Sequence, residues 1–166
     1  YGSLEWDYMQ MFIGMCAAAI HESKSPIPVT VGSASVKWSC DKIDGNKWSD
    51  AILQEMTMNP LAYLDFWQIH YYEWTNQFDN PFHQNPEFWG LNDKPCVIGE
   101  TPANNEIYGL SISYEDIYSL PYSLGYAGVY PWTSNGAGTG NFGTIKNFGS
   151  AAKKISQQIN NSKSKK

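Results

Sequence analysis

Outside its tail this chain has no run of basic residues. Lys163, Lys165 and Lys166 are confined to a Ser-, Asn- and Lys-rich end that is expected to fray. Phosphate backbones demand clustered Lys and Arg. The formal net charge of -5 points the other way, which argues against a nucleic-acid partner. No stretch is long and apolar enough to span a bilayer. Cysteine is scarce: Cys16, Cys40 and Cys96 are an odd count at wide spacing, with no metal-type pair. Cys16 is expected on a helix face and Cys96 inside a strand, each as a buried apolar thiol. Cys40, in a polar loop, is open to pairing outside the chain, and the sequence does not fix the pairing of the three. His21, His70 and His83 have no spacing that builds a metal site, so no metal or cofactor is implied. No phosphate-binding Gly motif follows a predicted strand, and Gly136-Ala137-Gly138-Thr139-Gly140 reads as flexible loop. No internal repeat of fixed period is found. The chain has no initiator Met and no signal peptide. It opens at Tyr1 almost inside a helix, as expected of a processed or partial product.

Aromatics are abundant. The 166 residues suffice for one sizeable domain, and they include seven Trp and eleven Tyr against only 16% charged residues. Flat rings in surplus of core needs suit stacking on sugars or bases. One sequon, Asn160-Asn161-Ser162, gives weak support for secretion.

Periodicity then orders the chain. Trp6, Met9, Ile13, Cys16, Ala17 and Ile20 have helical spacing within Glu5 to His21, and Pro26 and Pro28 end that helix. Val29 to Ser33 is rich in β-branched residues and predicts a strand. Ser49 to Met58 predicts a helix with Ala51, Ile52, Leu53 and Met56 on its apolar face. Asp65 to Tyr72 predicts a second strand, and residues 74–92 predict loop and weak helix. Cys96 to Gly99 is an apolar run bounded by turn residues, as in a buried parallel strand. Residues 101–112 read as loop. Ser113 to Leu124 predicts a helix with a Ser113–Asp116 cap and an awkward Pro121. Tyr126 to Trp132 predicts the fourth strand. Ile145, Phe148, Ala152, Ile155 and Ile159 are in phase on a closing helix. This alternation predicts an α/β fold of (β/α) units on a parallel sheet.

In a parallel sheet the strand ends share one face, where such folds place their chemistry. Here those ends bring His70, Tyr71 and Tyr72, then Glu100, then Trp132 toward one cleft, with Trp38 after the first strand. From its own stretch, Glu100 reads equally as a functional carboxylate or as the cap of the next loop. Trp67 is expected to face a helix as core.

Val29-Thr30-Val31-Gly32, Ile69-His70-Tyr71-Tyr72, Val97-Ile98-Gly99-Glu100 and Gly128-Val129-Tyr130-Pro131-Trp132 follow one another at this spacing. In this the chain resembles the carboxyl-terminal half of a (β/α)8-barrel glycoside hydrolase of the clan whose catalytic Glu residues follow strands four and seven. It is most similar to the family 5 cellulases and mannanases. The four runs match strands five to eight of the TIM barrel, and the resemblance covers Trp6 to Ile159. It implies residues 1–160 as the half barrel and residues 161–166 as a flexible basic tail. It also implies a secreted, retaining enzyme acting on β-glucan or β-mannan. Glu100 would be the nucleophile, with a second carboxyl about 5–5.5 Å away as acid and base. Tyr72 would hydrogen-bond Glu100, His70 would contact the sugar or the acid/base, and Trp132 would carry the sugar ring. Trp38 and Trp74 would serve further subsites.

The pattern departs from the family in one place. The family's Asn-Glu at the end of strand four has no counterpart before Trp6. Glu5 reads as part of a helix start, Asn105-Glu106 has the dipeptide but lies in the loop after strand seven, and Glu73, near the face, is a remote stand-in. The acid/base is therefore expected upstream of Tyr1, since a full barrel needs about 250 residues. The implied partner is the amino-terminal half, from the same precursor or another chain. Two alternatives remain. One is a non-catalytic carbohydrate-binding or structural protein on a split or decayed barrel. The other is a small α/β protein in which Glu100 is structural.

Overall fold

The computed structural model describes residues 5–72, 80–102, 106–107, 110–132 and 145–164. In chain order the elements are α1 (Trp6–Glu22), α2 (Asp50–Thr57), β1 (Trp67–His70), β2 (Cys96–Pro102), β3 (Glu106–Ile107), β4 (Leu110–Ser111), α3 (Asp116–Ser123), β5 (Gly128–Trp132) and α4 (Ile145–Lys163). Short 3₁₀ turns occupy Val36–Trp38 and Pro86–Trp89. Strands β1, β2 and β5 form a parallel sheet in that order, while β3 and β4 pair antiparallel as a small hairpin.

Register sorts the side chains of the sheet into two faces. Trp67 pairs with Cys96, and Ile69 pairs with Ile98, which pairs with Val129. Trp67, Cys96, Ile69 and Ile98 are buried in one cluster with Ala18 of α1, Leu53 of α2 and Ile117 of α3. Burying an Ile side chain of this size is worth roughly 1.5–3 kcal/mol. The other face carries Gln68, Val97 and Gly128 in one row, because successive side chains of a strand alternate. Tyr130 and Trp132 share that face and are 62% and 51% exposed. Parallel sheets are ordinarily covered on both faces.

Helix ends explain the boundaries. Ser49 Oγ accepts from the Ile52 amide and opens α2. The expected Ser113–Asp116 cap forms reciprocally, with Ser113 Oγ donating to Asp116 Oδ2 and the Asp116 amide donating to Ser113 Oγ. Lys94 Nζ donates to both Asp50 carboxylate oxygens at 2.6 Å and to Leu64 O, tying the start of α2 to the approach to β2.

Four expectations change. Val29 to Ser33 is not a strand: it contributes one parallel bridge, Ser33 to Ile69, and the Asp65 amide donates to Val29 O. Pro26 and Pro28 before it and Gly32 within it disfavour a continuous ladder. Cys16 and Ile20 are exposed, because Gly14, Ala17 and Ala18 set the buried face of α1 instead. A Cβ on Gly14 would stand 2.7 Å from Thr57 Cγ2, so α1 and α2 meet through small residues. The opposite side of α1 leaves Tyr8, Met11, Phe12 and Met15 exposed. Cys40 is fully buried as a free thiol, which removes it from pairing outside the chain. Glu106–Ile107 and Leu110–Ser111 pair antiparallel as β3 and β4, where loop alone was expected. Cys96 is buried as expected, and burial pushes its thiol up to about 12. Trp67 is core, its indole N–H donating to Asp93.

Candidate active site

The site begins with a bulge. Ile69 pairs with Ile98, but the next residue of β1, His70, pairs with Glu100 rather than Gly99. On the other side, Ile98 pairs with Val129 and Thr101 with Pro131, again one extra residue in β2. Strict alternation from Cys96 and Ile98 would turn Glu100 toward the helices. One inserted residue reverses that parity. Glu100 thus shares the open face with His70, and Thr101 is buried on the helix side.

Tyr72 is delivered by its neighbours. The Tyr71 amide donates to Glu100 O at 2.9 Å, continuing the ladder past β1. Tyr71 itself is buried, and its hydroxyl accepts from Asn80 Nδ2. With Tyr71 anchored below, Tyr72 stands above, and its hydroxyl donates to Glu100 Oε2 at 2.7 Å. Burial first, then the hydrogen bond to Glu100 and its charge, push the Tyr72 phenol well above its ordinary value. His70 Nδ1 faces the same oxygen, Oε2, at 3.5 Å. Burial holds the His70 imidazole below its ordinary value, against the pull of the Glu100 carboxylate. The Glu100 side chain is 30% exposed, open enough to meet a ligand.

Trp132 pairs with Pro102 at the end of β5, on the face of Glu100, with its indole half exposed. Trp38 is on the 3₁₀ turn at Val36–Trp38, half-buried and edge-on to Trp6 of α1 at 5.8 Å. Trp74 and Glu73 lie outside the described residues, as does Asn105 of the Asn105-Glu106 pair. Sequence reasoning passed over Gln68, whose Nε2 lies 3.0 Å from His70 Nε2. The period-two spacing of Gln68, His70 and Tyr72 was the signal for it.

A cavity of about 280 Å³ lies apart from these groups, between α3, β5 and α4, lined among others by Tyr118, Tyr122, Tyr130 and Ile155. It is mostly apolar and carries none of the groups around Glu100. Among the described residues no cluster of three His, Cys, Asp or Glu is arranged to hold a metal, and no described helix is long and apolar enough to cross a membrane.

The arrangement is a carboxylate at a strand end, held by a phenol and flanked by an imidazole and an exposed indole. No protein-family model matches the chain. Over 125 residues it is 35% identical to a mannan endo-1,4-β-mannosidase of Mytilus edulis, covering 74% of the chain and 33% of that protein. It is 29% identical over 129 residues to a mannan endo-1,4-β-mannosidase of Cryptopygus antarcticus, covering 76% of the chain and 33% of that protein. The crystal structure of endo-1,4-β-mannanase from Eisenia fetida superposes with a TM-score of 0.77 at 27% identity, covering 90% of this chain and 41% of that one. The chain thus spans about a third of the length of the curated relatives it matches. It is a relative of the β-mannanases, (β/α)8-barrel glycoside hydrolases of the family 5 type, and corresponds to part of their barrel.

Proposed function

We propose that the protein carrying this chain is a retaining, endo-acting glycoside hydrolase of β-linked mannan, with Glu100 as its nucleophile. One observation carries the reading: a bulge turns a strand-end Glu onto the open face, where Tyr72 donates to it at 2.7 Å. Tyr72 and His70 both address Oε2. Oε1 is then the oxygen offered to the anomeric carbon. Attack through Oε1 forms a glycosyl-enzyme and breaks the glycosidic bond. A second carboxyl protonates the departing oxygen, then takes a proton from the water that releases the sugar. That acid/base belongs to sequence outside this chain. Trp132 supplies a platform for the ring beside the cleaved bond, and Trp38 and Trp74 are held for outer subsites. Mannan is favoured over glucan because the named relatives are mannanases.

The same reading gives the open face and the uncovered side of α1 a partner. The amino-terminal half of the barrel would cover Tyr130, Tyr8, Phe12 and Met15, large apolar groups that water otherwise meets. Action on a polymeric substrate supports secretion as part of the same proposal. The test is hydrolysis of β-mannan and β-glucan by the intact protein, with the first-formed anomer read by NMR. Cleavage of mannan with retained β-configuration is expected. Inversion would overturn the nucleophile, and binding of mannan without cleavage would make the protein a carbohydrate-binding scaffold.

A further inference from the structure

Gln68 precedes His70 by two residues on β1 and shares its face of the sheet. Room for the pair is made by two glycines from flanking segments. A Cβ on Gly32 would stand 2.6 Å from Gln68 Nε2 and 2.8 Å from His70 Nε2, and one on Gly99 would overlap Gln68 Cγ and Cδ. Neither glycine has a left-handed φ, so space rather than backbone conformation accounts for them. The result is a slot that holds the Gln68 amide against the imidazole.

Donor and acceptor chemistry then favours one position for the ring proton. His70 Nδ1 faces Glu100 Oε2 at 3.5 Å, and a carboxylate oxygen only accepts. The ring proton therefore belongs on Nδ1. A neutral ring leaves Nε2 bare, as an acceptor, and the group 3.0 Å from it is the Gln68 amide nitrogen, a donor. The opposite tautomer would set two N–H groups against each other at Nε2 and two lone pairs against each other at Nδ1. Burial favours the neutral ring, in keeping with this arrangement.

We propose that Gln68 is a positioning residue: held in the Gly32–Gly99 slot, it locks neutral His70 in the Nδ1–H tautomer with that proton aimed at Glu100. The catalytic consequence rests on the reading of Glu100 as nucleophile, whereas the tautomer rests on the Gln68 amide presenting its nitrogen to Nε2. His70 then sets an N–H dipole, beside the O–H of Tyr72, on the side of the same carboxylate oxygen. Loss of Gln68 frees the ring to take either tautomer or to turn, and Glu100 loses part of its orientation.

The experiment is ¹⁵N NMR of the histidine rings in the intact protein, at a pH above the titration of His70. The wild type should show a proton-bearing Nδ1 and a bare Nε2 for His70. Gln68→Leu should give a mixture of tautomers, with a fall in kcat of severalfold on mannan and little change in KM. Gln68→Glu presents an acceptor to Nε2 and should leave both nitrogens protonated at neutral pH. An Nε2–H tautomer in the wild type overturns the proposal without any variant. An unchanged His70 spectrum in Gln68→Leu also overturns it. The expected tautomers in a protein that does not cleave mannan would uphold the Gln68 assignment and refute the hydrolase instead.

Discussion

Replacing Tyr72 with Phe removes one oxygen and leaves the ring. The lost interaction is a 2.7 Å donation from a phenol to the Glu100 carboxylate. Hydrogen bonds to charged groups are worth about 1.5–3 kcal/mol net. Glu100 is 30% exposed, so water partly replaces the lost donor and the lower part of that range applies. We take about 1.5–2 kcal/mol, which is roughly a 10- to 30-fold change in rate. The carboxylate regains rotation, so Oε1 loses its aim and the cost falls on kcat rather than on KM. The assay is steady-state hydrolysis of β-mannan by the intact protein, with circular dichroism to show that both forms fold alike. A Phe variant as fast as wild type would put Tyr72 outside the machinery. A purely KM effect would make Tyr72 a substrate contact and not the holder of Glu100.

Three more expectations concern stability. Gly99→Ala forces a Cβ into the Gln68 side chain, and such overpacking costs about 1–3 kcal/mol. A urea midpoint equal to wild type would show that the slot is loose. Met58 caps α2 with a left-handed φ of 51° and is 92% exposed. Met58→Gly should therefore raise stability by about 0.5–1 kcal/mol, and a lower thermal midpoint would contradict that. His21 Nδ1 faces Leu61 O at 2.8 Å and Nε2 faces Asp65 Oδ2 at 3.1 Å, two acceptors that only an imidazolium satisfies. Burial opposes the His21 charge, but the bonds to Leu61 and Asp65 outweigh it and its pKa is raised. Burial likewise opposes the Asp65 charge, and the Val29 amide and His21 outweigh it, so its pKa is lowered. The His21 contribution is full below about 6.5 and is lost as pH rises through the raised folded-state value. The Asp65 contribution is full above about 3.9 and is lost as pH falls through the depressed value. His21→Gln should flatten the alkaline loss of urea stability, and an unchanged slope there would refute the assignment.

The parallel sheet was legible because Cys96 to Ile98 and Gly128 to Trp132 are apolar runs between turn residues. Their alternation with α1, α2, α3 and α4 pointed to (β/α) units on a parallel sheet. Legibility stopped where a rule of alternation was broken. Counting by twos from Ile98 turns Glu100 toward the helices, and only the inserted residue returns it to His70. Sequence shows that the Glu is there, but not which way it points. Cys16 failed for another reason. α1 has apolar residues on both sides, and the small ones, Gly14, Ala17 and Ala18, decided which side α2 meets. Val29 to Ser33 had the composition of a strand, but Pro28 and Gly32 left it one bridge. The slot around Gln68 was invisible, since it needs glycines far apart in sequence, Gly32 and Gly99, brought to either side of β1.

The most direct measurement is turnover of Glu100→Gln in the intact protein, paired with mannan-oligosaccharide binding by calorimetry. The amide keeps the size and the polar contacts of the carboxylate but cannot attack. Turnover at the detection limit with binding largely retained is the predicted result. Turnover that survives the substitution would contradict the nucleophile and, with it, the meaning given to the bulge, to Tyr72 and to His70.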